Sequence, residues 1–247
     1  MKILFRKCLF PISFAFLAAF FSSAAWGAEV FKTRLDNGMT VIIEEEHTAP
    51  VAAIEMWVRT GGADESGKEA GIAHVFEHML FKGTKKRKVG EIARVVEAAG
   101  GDINAYTSFD NTVFHLALPS KEFTTGLDVL SDAVQNSAFD PEELRKELQV
   151  VLEEIRMNED SPGRSLYKSI LSSAFSVHPY GRPVIGYKNT VEPIKRADMM
   201  AFFKKWYIPN NMTLVIAGDI KKDDALSAVK AAFRGFKKGP DPHRKRP

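Results

Sequence analysis

Sulfhydryl chemistry is almost missing from these 247 residues: there is one cysteine, Cys8. It falls in the opening stretch, so a mature form beginning after residue 27 has no thiol with which to build a disulfide. An oxidising compartment would be tolerated but not exploited. Membrane-crossing runs are lacking too. The one candidate, Leu9 to Phe21, is 13 residues long and contains Pro11, too short for a spanning helix, so no stable membrane anchor is expected. An excess of one charge is also absent. The formal net charge is +3, and Lys2, Arg6 and Lys7 account for it, leaving the remainder neutral. Such a chain has no electrostatic footprint for nucleic acid, and no nucleic-acid partner is expected.

What is present is a 45% hydrophobic, 26% charged composition that fits one globular domain with a proper core, or two small ones. Residues 1–27 follow the secretory pattern of a basic start, an apolar run and a small-x-small exit at Ala25-Trp26-Gly27. Cleavage is expected near Gly27, with export of a soluble protein to a bacterial periplasm. At the other end, residues 237–247 are rich in Lys, Arg and Pro and read as a linker or tail after a domain of residues 28–236.

Within that domain the patterning alternates between strand pairs and helix pairs. Phe31 to Leu35 and Met39 to Glu44 form a hairpin across Asp36-Asn37-Gly38, because Asn-Gly supplies the positive φ that a tight turn needs. A strand follows at Val51 to Arg59, then a helix from about Glu69 to Phe81 and another over Val89 to Ala99. Ile103 to Ser108 and Thr112 to Leu118 form a second strand pair. Helices are expected at Lys121 to Asn136, Pro141 to Glu159, Arg164 to Ala174, Arg196 to Trp206 and Lys222 to Phe233, with a strand at Thr213 to Ala217. Asp140, Pro141 and Glu143 read as N-cap, first position and capping-box partner. The fold class is α+β, an antiparallel sheet backed by helices.

The chemistry concentrates in His74-Val75-Phe76-Glu77-His78. On a helix, residues four apart share a face, so His74 and His78 can hold one metal while Glu77 addresses a metal-bound water. Ile72, Val75, Phe76, Met79 and Leu80 occupy the opposite arc, and no Lys or Arg shares the face of the trio, as a merely solvated face would require. Catalytic zinc normally takes three protein ligands. The helix from Pro141 offers the third: Leu144, Leu148, Val151, Leu152 and Ile155 define its buried arc, and Glu147 and Glu154 sit at its margin where apolar residues belong. Buried carboxylates ask for a cation or strong donors. The helical wheel nominates Glu154 as third ligand and Glu147 as a supporting acid behind the ligands; Glu153 points to the polar side. His47, His115 and His178 fall in a loop, a strand and a proline turn and are not read as ligands. Lys85 to Lys88 and His243 to Arg246 read as solvated runs.

With these residues in hand the chain resembles the pitrilysin and insulin-degrading-enzyme family of zinc metallopeptidases, the inverzincins, in the style of their smaller bacterial and mitochondrial processing-peptidase members. The family's distant glutamate lies about 76 residues past the second histidine and seven past another acid, which lands on Glu154 and Glu147. The resemblance extends to Gly100 to Thr107, like the family's substrate-receiving strand, to His178 to Pro183, like its later signature loop, and to the strand ending at Gly218-Asp219. It implies one Zn2+ per chain on His74, His78 and Glu154, Glu77 as general base, and substrate backbone held at Asn104 and Ala105. The match covers about residues 30 to 236, the N-terminal half of such a peptidase. The family's second half closes over the zinc and adds an arginine and a tyrosine, which no residue here replaces. Two readings follow: a zinc endopeptidase for extended or unfolded peptides, completed by a second homologous half or subunit, or a zinc-bearing but catalytically incomplete peptide-binding or scaffold subunit.

Overall fold

Met39, Val41 and Ile43 alternate with less buried neighbours, and Ala52, Ile54, Met56 and Val58 do the same, each buried to 1% exposure or less. That period of two commits one face of a sheet to the core. The computed structural model describes residues 30–242; the proposed leader and the last five residues of the basic tail lie outside the described residues.

Six strands form one sheet: β1 (Val30–Arg34), β2 (Thr40–Glu45), β3 (Val51–Val58), β4 (Asp102–Thr107), β5 (Thr112–Pro119) and β6 (Met212–Gly218), in the order β1-β2-β6-β3-β5-β4. The first turn falls where expected, but Gly38 alone takes the positive φ, 88°, and Asn37 does not. Eight α-helices are present among the described residues: α1 (Ile72–Leu80), α2 (Glu91–Ala98), α3 (Phe123–Asn136), α4 (Pro141–Asp160), α5 (Pro162–Ala174), α6 (Lys188–Val191), α7 (Arg196–Trp206) and α8 (Lys222–Ala232). The α+β class holds, with one refinement to the sheet. Four pairings are antiparallel, but β2 and β6 run parallel, Thr40 facing Thr213 and Glu45 facing Gly218. The cause is an insertion. β2 and β3 are consecutive in the chain and run in opposite directions, and β6, arriving after the helices, wedges between them. Leu214 and Ile216 are fully buried, as a central strand requires.

Two local readings also shift. α1 begins at Ile72 rather than near Glu69, because Gly71 sits at φ 99°, a left-handed conformation that cannot continue a helix, and Glu69 is taken up in a turn with Ser66. At α4, Asp140 accepts from the amides of Glu142 and Glu143, but the Glu143 carboxylate goes to Lys146, 2.6 Å away, instead of returning to complete a capping box. The described part of the tail is tied down: the Gly239 amide donates to Asn210 Oδ1 at 2.9 Å, and Asp241 lies 3.7 Å from the Arg59 guanidinium.

α1 is locked to the core by aromatic packing. Phe76, with no exposed surface, has its ring centroid 4.0 Å from that of Tyr207, 4.9 Å from Phe139 and 5.6 Å from Phe202. Burying one such ring contributes about 1.5–3 kcal/mol. With Val75, Phe76, Met79 and Leu80 inward, His74, Glu77 and His78 turn toward α4 and the end of β4.

Candidate metal centre

α1 and α4 pack directly, and their facing side chains make a cluster. One ligand atom each from His74, His78 and Glu154 lie within 4.8 Å of one another. His74 Nε2 is 3.1 Å and His78 Nε2 3.7 Å from the same oxygen, Glu154 Oε2. Two imidazoles and a carboxylate are a donor set of catalytic zinc, whose ligand atoms sit about 2 Å from the ion. A small inward adjustment of these three atoms brings them to that spacing, so the residues fit the metal.

The remaining ring nitrogens are also engaged. His74 Nδ1 is 3.7 Å from Glu77 Oε2, and His78 Nδ1 is 3.2 Å from Glu147 Oε2. Glu147, 8% exposed, is held from its other side by Lys82 Nζ at 2.6 Å. A carboxylate behind a ligating imidazole fixes its tautomer and orientation. Lys82 was not anticipated: it lies past the C-cap Phe81, beyond the end of α1, where helical periodicity no longer places a side chain. Glu153 points away as expected and pairs with Arg156.

Electrostatics in the cluster run toward charge separation. For His74, burial opposes the charged form, but hydrogen bonding to Glu154 and Glu77 prevails and lifts its pKa to about 9. Burial pushes the Glu77 carboxyl up, yet His74, Thr107 and the His78 charge outweigh it and hold it below the ordinary range. Glu154 is lowered chiefly by its hydrogen bond to His74. The site thus offers two carboxylates that stay ionised and one imidazole that holds a proton until a metal displaces it.

Asn104 and Ala105 lie on β4, an edge strand, and Thr107 at its end donates to the Ala73 carbonyl at 3.4 Å, joining that edge to α1. A cavity of about 690 Å3 opens beside His74 and Glu154, walled by α5 through Tyr167 and Leu171 and by the loop from Gly181 to Gly186. The other histidines stay apart: His47 pairs with Asp219 on the surface, His115 packs on Tyr106, and His178 accepts from the Tyr180 amide. Sequence reasoning also missed Glu65, which is 6% exposed and accepts from the Gly71 and Ala73 amides. It lies in an aperiodic loop, where no helical wheel applies.

Comparison with known proteins bears on the family and the fold. The family description "Insulinase (Peptidase family M16)" matches residues 40–188, and "Peptidase M16 inactive domain" matches 193–247. An "Uncharacterized zinc protease" of Rickettsia felis is 33% identical over 84% of this chain and 50% of its own length. Among solved structures, a protease from Helicobacter pylori superposes with a TM-score of 0.84 at 28% identity, over 90% of this chain and 55% of that one. The periplasmic protease PqqL from Escherichia coli gives 0.81 at 26% identity, over 91% of this chain and 26% of its own. The chain spans about half the length of the first two, as the N-terminal half of a longer peptidase would. By its matched residues and its relatives, the chain belongs to the insulinase family of zinc peptidases, family M16.

Proposed function

We propose that this chain is the metal-bearing half of a zinc endopeptidase that cuts extended or unfolded peptides. The observation behind the proposal is the convergence of His74, His78 and Glu154, with Glu77 on the same face of α1. Those three side chains would hold the zinc. When bound, zinc supplies a Lewis acid for the scissile carbonyl and lowers the pKa of water at the site. Glu77, ionised by its surroundings, takes the proton from that water and passes it to the leaving amine. Glu147, braced by Lys82, keeps the His78 ring turned toward Glu154. Asn104 and Ala105 receive the substrate backbone as an added strand on β4, and the neighbouring cavity takes a side chain next to the scissile bond.

A second homologous half completes the enzyme, a reading supported by relatives of which the matched segment is about half. The secretory pattern of residues 1–27 and the likeness to a periplasmic protease support export to the periplasm. The test is turnover of a quenched unstructured peptide by the purified chain, with and without chelator. Slow, chelator-sensitive cleavage is expected, and Glu77→Gln should retain zinc while losing it. Chelator-sensitive turnover by the lone chain eliminates the scaffold reading, and a Glu77→Gln variant that cuts at the wild-type rate contradicts the role of Glu77.

A further inference from the structure

The first turn of a helix leaves amides without intrahelical partners, and burial makes leaving them unpaired costly. Gly71, Ile72 and Ala73 at the start of α1 are all buried, and the N-cap, Gly71, has no side chain to cap with. Glu65 fills that need from a loop. Its Oε2 accepts from the Gly71 amide at 2.9 Å and its Oε1 from the Ala73 amide at 2.8 Å, so both oxygens are committed to the turn that carries His74. Burial pushes the Glu65 carboxyl up to about 8, the two amides pulling the other way, so its hold on the turn is by accepting hydrogen bonds rather than by charge.

The Glu65 main chain is fixed independently. Arg182 Nη2 donates to the Glu65 carbonyl at 2.6 Å, and Arg182 belongs to the loop that walls the cavity beside the metal ligands. That loop and the helix after it close on the turn preceding α1: a Cβ on Gly71 would lie 2.6 Å from the Ile185 carbonyl of the loop, and Thr190 Oγ1 of α6 donates to the Ala70 carbonyl at 2.7 Å. The start of α1 therefore cannot drift toward the loop, and the Glu65 carboxyl holds its first amides.

From this geometry we infer that Glu65 is a positioning residue for the metal centre: it fixes the first turn of α1, and so the reach of His74 toward Glu154. It belongs neither to the His74, His78 and Glu154 cluster nor to the lining of the cavity. The inference rests on the zinc reading above. Glu65→Gln tests it by replacing one acceptor with a donor at nearly constant shape, and Glu65→Asp by withdrawing the carboxylate so that it cannot span both amides. Zinc affinity of the full chain is measured by competition with a chelating fluorophore, alongside circular dichroism. The expected result is affinity weakened about tenfold in a variant whose helix content is unchanged. Wild-type affinity in both variants overturns the inference, as does affinity lost only together with folded structure, which would make Glu65 a stability residue. Failure of the wild-type chain itself to bind zinc would instead remove the underlying zinc reading, so the two failures are distinguishable.

Discussion

Two carboxylates hold the His74 imidazole, Glu77 at Nδ1 and Glu154 at Nε2, and their joint pull has a pH signature. Without metal, its pKa is raised from an ordinary 6.5 to about 9, so folding favours the protonated ring. That contribution is complete below pH 6.5 and is lost as the pH rises through 9. The melting temperature of chelator-treated protein should fall across that window, and the fall should be much smaller in His74→Gln. A pH-independent melt contradicts it. At His78, the Lys82–Glu147 pair predicts that Glu147→Gln weakens zinc binding about 10- to 100-fold, read by competition with a chelator. These histidines and acids were legible because periodicity places them: His74 and His78 four apart, Glu147 and Glu154 on the margin of an apolar arc. Glu65 was not, because in a loop the partner of a carboxylate depends on where the chain returns.

For the elements, the same distinction separates what local pattern dictates from what tertiary packing decides. The start of α4 was readable from Asp140 and Pro141, since a cap acts on amides two and three residues away. Asp140→Ala should lower unfolding free energy by about 1 kcal/mol in a denaturant titration. The reciprocal arm from Glu143 was not readable, because Lys146 competes for it across one turn. α1 depends on its hidden face: Phe76→Ala removes a ring packed against Phe139, Phe202 and Tyr207 and should cost about 3–5 kcal/mol. A loss below 1 kcal/mol in that variant would mean that the aromatic cluster does not hold α1. The placement of β6 between β2 and β3 lay beyond any local pattern. Its alternation marks a strand, but only the return of the chain over the helices chooses its neighbours.

Across the whole molecule, the metal helix, the edge strand β4 and the cavity stand side by side, with the relatives continuing into as much chain again. Strand addition at β4 requires an extended substrate with free amides. An unfolded polypeptide should therefore be cut faster than the same sequence folded, and a peptide carrying prolines beside the scissile bond should bind several-fold more weakly, since each lost backbone hydrogen bond costs about 1 kcal/mol. Equal cleavage of folded and unfolded forms would exclude recognition at that edge. The most direct test of the whole account is metal analysis of the purified chain combined with X-ray absorption at the zinc edge. It should find one zinc per chain, with imidazole nitrogens at about 2.0–2.1 Å and a carboxylate oxygen at a similar distance, and Glu154→Gln should weaken the site sharply. Folded protein with no stoichiometric zinc, or zinc whose ligands are unchanged by that substitution, would contradict it.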